Sequence, residues 1–169
     1  MIDLFYWPTP NGHKITLFLE EAGMDYTIHP VDITAGDQFR PVDIRGRASV
    51  TEWLFWQVGG LGPMAGQNHH FVQYTPEKIP YAITRYVNET NRLYGVMDRR
   101  LAQVPFLGGA DYSIADMASY PWIVPWKGQQ ENLEEFPHLK RWLEDIGERP
   151  ATIRAYEKGK ALLARPAKG

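Results

Sequence analysis

The chain has no cysteine among its 169 residues. That excludes disulfide staples, thiolate metal ligands and a protein-borne sulfur nucleophile, so any thiolate held by this protein belongs to a ligand. Excess charge of one sign is also missing: 18 Lys and Arg stand against 20 Asp and Glu, a net charge of -2. No broad basic field is available to gather phosphate backbones, which argues against nucleic acid as a partner. A long apolar run is absent too. The most apolar window, Trp53 to Gly66, is interrupted by Gln57 and several glycines and falls short of the ~20 residues that span a bilayer. Met1-Ile2-Asp3 lacks the cationic start of a secretory signal, and the expectation is a cytoplasmic protein. No low-complexity tract or internal repeat occurs.

What is present is an ordinary globular balance, 44% hydrophobic and 22% charged, with an aromatic share of 13% that includes six tryptophans. The tryptophans Trp53, Trp56, Trp122, Trp126 and Trp142 read as anchors of a helical core. The opening carries the strongest local signal. An apolar strand, Ile2 to Trp7, breaks into Pro8-Thr9-Pro10-Asn11-Gly12-His13-Lys14 and then a helix with Ile15, Leu17, Phe18, Leu19 and Ala22, stopped by Gly23. Tyr26 to Ile33 reads as a second strand and residues 36–41 as a loop, completing a βαβ unit with parallel strands. Its ligand end lies at the carboxyl end of the first strand, where Thr9 and Asn11 fall. Backbone N–H groups and the positive end of the helix dipole there favour an anion.

From Arg45 the pattern turns helical: Arg45 to Gly59, Ile79 to Val104, Ser113 to Trp122, Pro137 to Glu148 and Ala151 to Leu163. The second helix has apolar residues at a period near 3.6, from Ile79 through Ile83, Tyr86, Val87, Leu93, Tyr94 and Met97 to Leu101. Ser113-Ile114-Ala115-Asp116 has the form of a capping box, with Tyr112 and Met117 as its staple, so Asp116 is expected to be structural. His69 and His70 are adjacent, about 100° apart on a helix, with no third ligand at helical spacing; they are expected at a helix end near a substrate cavity and no metal is expected.

These residues carry a resemblance. The Thr9-Pro10-Asn11-Gly12-His13-Lys14 turn, the Gln38-Phe39-Arg40-Pro41 loop, Trp53-Leu54-Phe55-Trp56-Gln57, Gly59-Gly60-Leu61-Gly62-Pro63-Met64, Gln67-Asn68-His69-His70-Phe71 and Phe106-Leu107-Gly108-Gly109 through Asp116 together resemble nu-class, yeast-prion-like glutathione transferases. The resemblance implies an α/β plus all-α fold. A thioredoxin-like, glutathione-binding part over residues 1–42 would pack on an all-helical glutathione-transferase C-terminal domain over residues 43–169. It implies a homodimer that uses glutathione to reduce disulfides or transfer thiols. Carried over, it makes Thr9 and Asn11 the catalytic groups beside the glutathione sulfur, with Asn11 also binding substrate, Gln38 a ligand of the glutathione backbone and Arg85 the partner of a glutathione carboxylate.

The resemblance also implies an omission. The family has two further strands and a helix between Pro41 and Asp43, on the order of 40 residues by usual element lengths. As it stands the thioredoxin-like part is truncated and its first strand has an open edge: either a further segment exists in the molecule, or a partner chain covers the edge, or the chain is a cut-down relative with a damaged glutathione site. Tyr6 is a rival thiol partner, though its position in the strand favours a core role. A non-catalytic dimerisation or binding module and a ligandin-like carrier of apolar molecules are the alternatives to an enzyme.

Overall fold

The computed structural model describes residues 2–6, 16, 18–30, 41 and 43–163. The chain forms two compact units, Met1–Phe39 and Arg40–Gly169. In the first, strand β1 (Ile2–Tyr6) pairs in parallel with β2 (Tyr26–Pro30), Ile2 opposite Tyr26 and Leu4 opposite Ile28. The connection carries helical residues 18–21. Its end is set by Gly23, whose φ of 61° is open to glycine at little cost. Met24 N–H then reaches back to Leu19 O at 3.0 Å and Gly23 N–H to Glu20 O at 3.1 Å, satisfying the last carbonyls. Leu19, 5% exposed, supplies the apolar seat of this unit. The parallel βαβ reading is thus seen in the described residues, while Thr9, Asn11 and Gln38 lie outside them.

The second unit is helical: α1 (Ile44–Trp56), α2 (Gly62–His69), α3 (Pro80–Leu101), α4 (Ile114–Ile123), α5 (Pro137–Gly147) and α6 (Pro150–Leu163). Asp43 caps α1 by accepting from Gly46 N–H at 2.8 Å. The expected stop at Gly59 does not occur. A π-helical turn, Gln57–Leu61, joins α1 to α2, and a second, His70–Tyr74, extends the helical path to Tyr74. Gly62 and Gly66 serve close approach, not termination. A Cβ on Gly62 would sit 2.7 Å from Gln57 Nε2 and 3.4 Å from the Trp122 ring, and one on Gly66 would meet the same ring at 3.5 Å. The bare surface accommodates an indole from α4.

Helix α3 buries Thr90, Leu93, Tyr94, Met97 and Leu101. The apolar stripe therefore holds through its second half, whereas Ile79 at its start is 41% exposed. Trp142 on α5 is fully buried, and Trp53, Trp56, Trp122 and Trp126 pack against the core part-buried. Asp116 is fully buried and accepts four hydrogen bonds. Its Oδ1 takes Leu107 N–H at 2.8 Å and Trp142 Nε1–H at 2.9 Å; its Oδ2 takes Ser113 N–H at 3.0 Å and Ser113 Oγ–H at 2.9 Å. The capping box is thus also the clamp between α4, α5 and the loop before them. Tyr112 packs edge-on against Phe106 at 5.7 Å, and the Arg149 guanidinium lies 3.9 Å from the Tyr112 ring centre.

Candidate functional site

Arg85 is an exposed residue of α3, on the side opposite the buried stripe. Positions 81, 84, 85, 88, 89 and 92 recur at helical spacing, so their side chains share one face. With Met64 from α2 and Tyr86 they line a cleft of about 630 Å³. Tyr86 forms one wall, stacked on Phe71 at 5.4 Å with the planes 7° apart.

The cleft has a definite electrostatic pattern. Glu89 accepts from both Arg92 Nε at 2.8 Å and Arg92 NH2 at 2.7 Å, a bidentate pair. Those hydrogen bonds, opposed by partial burial and helped by the charges of Arg92 and Arg85, hold the Glu89 carboxyl below its usual range. Arg92 is thereby neutralised. Arg85 meets Glu89 as a nearby charge and makes no hydrogen bond or ion pair among the described residues. Its planar fork of donors has the geometry that suits a carboxylate.

Beneath this face lies a polar layer. Asn68 Nδ2 donates to Thr90 Oγ1 and to Gln129 O, both at 3.0 Å, and Tyr94 O–H donates to Gln129 Oε1 at 2.7 Å. Thr90 O–H in turn donates to Tyr86 O at 2.8 Å. Glu131, 6% exposed, receives Asn91 Nδ2–H at 3.2 Å, while its Oε1 has no partner among the described residues. Burial pushes the Glu131 carboxyl up to about 7 against the lowering effect of Asn91, with Glu135 adding repulsion. Tyr94 is likewise raised by burial, then by the Glu131 charge. This layer fixes the backbone of α3 behind Arg85.

As expected, His69 and His70 fall at a helix end: His69 is the last residue of α2 and His70 its C-cap, and a second π-helical turn carries the path on to Tyr74. His69 is part-buried and edge-on to Tyr74 at 5.1 Å; the exposed His70 is edge-on to Phe71 at 5.2 Å. His69 lines a smaller cleft of about 260 Å³ together with Tyr74, Trp122 and Gln129. Among the described residues no group of three or more His, Cys, Asp or Glu is placed to hold a metal. None of their helices is long and apolar enough to cross a membrane.

Of the residues expected at the site, then, Arg85 faces a cleft and Thr9, Asn11 and Gln38 lie outside the described residues. Sequence reading passed over Tyr81, Asn88, Glu89 and Arg92. The signal was available in the polar recurrence of residues 81, 85, 88, 89 and 92 opposite the apolar stripe.

Residues 81–150 match the glutathione S-transferase C-terminal domain. Across nearly its whole length the chain is 44% identical to the disulfide-bond oxidoreductase YfcG of Escherichia coli K12, covering 96% of this chain and 95% of that protein. The chain belongs to the nu-class glutathione transferase family. This transferase is also 31% identical to the disulfide-bond oxidoreductase YghU of the same organism, over 90% of this chain and 73% of that one. Among solved structures it is similar to a glutathione transferase from Burkholderia graminis with two glutathione molecules bound per subunit (TM-score 0.65, 27% identity, 99% of this chain and 89% of that one). It also resembles one from Pseudomonas putida with one glutathione disulfide per subunit (TM-score 0.65, 27% identity, 90% and 89% covered).

The α/β plus all-α reading and the family assignment both hold. The alignment with YfcG runs over 210 residues, against 169 in this transferase, yet reaches close to both ends of each chain. Internal positions on the order of 40 in YfcG thus have no counterpart here, about the length of two strands, a helix and their turns.

Proposed function

We propose that the chain is a cytoplasmic, homodimeric enzyme that binds glutathione and uses it to reduce disulfides or transfer thiols. The 44% identity with a disulfide-bond oxidoreductase over 95% of that protein carries this reading. The guanidinium of Arg85, which lines an open cleft and has no hydrogen bond among the described residues, supports it.

The chemistry suits a chain without cysteine. A glutathione thiol of pKa near 8.5 is only ~3% ionised at neutral pH, and lowering that pKa to about 6.5 requires about 2.7 kcal/mol of preferential stabilisation of the anion. Backbone N–H groups at the head of the first helix, with the Thr9 hydroxyl and the Asn11 amide, supply donors of that order. Gln38 binds the tripeptide backbone and Arg85 pairs with a glutathione carboxylate.

The held thiolate attacks one sulfur of the substrate disulfide. A new S–S bond forms to glutathione as the substrate S–S bond breaks, and the leaving thiolate takes a proton from water. The thiolate of a second glutathione then attacks the glutathione sulfur of the mixed disulfide, releasing the second substrate thiol and oxidised glutathione. Two glutathiones supply the two electrons, and the protein supplies position and electrostatics.

Retention on immobilised glutathione together with turnover of a small disulfide tests the proposal. Dimerisation with neither retention nor turnover would instead indicate a binding module.

A further inference from the structure

The two-stranded sheet has unlike edges. Ile2 N–H donates to Asp25 O at 3.3 Å, so the backbone polar groups of Ile2 face β2. In a parallel ladder, alternate residues turn their N–H and C=O to opposite sides, which places those of Leu4 and Tyr6 toward β2 and those of Asp3 and Phe5 outward. The sheet order is β1-β2, and no described strand pairs with that outward side. On β2 the outward positions are Tyr26, Ile28 and Pro30, and Pro30 has no N–H, a blunted edge. The unit is also short of apolar cover, with Phe18, Met24 and Ile28 exposed by 64%, 45% and 44%. Two strands are marginal alone; three or more with a buried face are the usual minimum.

We infer that the outward edge of β1 pairs, antiparallel, with the β1 edge of a second copy of this chain. The edge is self-complementary under a two-fold axis through Leu4. In that register Asp3 of each copy exchanges both backbone hydrogen bonds with Phe5 of the other, giving four bonds, and the two Leu4 residues form the non-hydrogen-bonded pair between them. A centre on Asp3 would leave Phe5 opposite a residue before β1. A centre on Phe5 would leave Asp3 opposite a residue beyond β1. The second copy therefore supplies the strands that make a four-stranded sheet. The inference refines the homodimer reading by naming its surface, but its argument needs only the sheet.

The test uses the full chain and exploits its lack of cysteine. Light scattering is expected to show a dimer. Phe5→Pro removes, besides its ring, an outward N–H and none that faces β2, and is expected to weaken that dimer at least about tenfold without changing far-ultraviolet circular dichroism. Leu4→Cys is expected to give an interchain disulfide on mild oxidation, since non-hydrogen-bonded pairs bring Cα atoms to about 4.5 Å, while Ile28→Cys gives none. A monomeric wild type overturns both this inference and the homodimer. A dimer that survives Phe5→Pro, with no cross-link at position 4, overturns the edge and leaves the homodimer standing. If Phe5→Pro does not fold, the cross-link decides alone.

Discussion

The indole of Trp142 and the carboxylate of Asp116 meet at 2.9 Å in the fully buried interior, joining two helices 26 residues apart in sequence. Because the same carboxylate also satisfies Leu107 N–H and Ser113, its removal strands several donors at once.

Asp116→Ala is therefore expected to cost about 3–5 kcal/mol, the range for breaking a buried, fully hydrogen-bonded charge. Asp116→Asn, which keeps the shape and one acceptor, costs less. Urea denaturation of the three proteins gives the order, and glutathione affinity per folded molecule should be unchanged.

Glu131 gives the fold a pH dependence with a definite sign. Its folded pKa of about 7 lies above its ordinary value of 4.5, so the folded state holds the proton more tightly. Stability from this group is complete below about pH 4.5, falls as pH rises toward 7 and is at its minimum above that. Glu131→Gln removes the ionisable group. Differential scanning calorimetry should find Tm raised by at least about 3 °C at pH 8 and nearly unchanged at pH 4.5.

Arg85 and Arg92 sit in one cleft but differ in what they have left to offer. Arg85→Ala is expected to raise the KM for glutathione about tenfold or more with no loss of Tm, and Arg85→Lys to restore part of the affinity. Arg92→Ala, which removes an exposed pair with Glu89, should change KM by less than about threefold. Steady-state kinetics with a small disulfide distinguishes them.

Much of the helical unit was legible because its signals are local. Ser113 and Asp116 spell a capping box, and the period of Leu93, Tyr94, Met97 and Leu101 sets the buried face of α3. Gly59 misled because the helical path runs on through it, and Gly62 and Gly66 were unreadable because their role depends on Trp122, some sixty residues away, whose ring packs on the bare backbone. Thr90 and Asn68 were likewise invisible as core residues, since a buried polar side chain is recognised only by its partner. Arg85 was singled out through family resemblance, and the structure shows it lining a cleft. The pairing of Glu89 with Arg92, which leaves Arg85 without a hydrogen-bond partner among the described residues, is a matter of geometry that composition does not carry.

The central claim is that a cysteine-free chain holds the sulfur of an incoming tripeptide as its anion. The direct measurement is an ultraviolet titration of the thiolate of glutathione bound to the protein, compared with free glutathione. The account predicts a bound pKa near 6.5, about 2 below the free thiol, and a return most of the way to the free value in Asn11→Ala. A bound thiol that ionises at the same pH as free glutathione would contradict it.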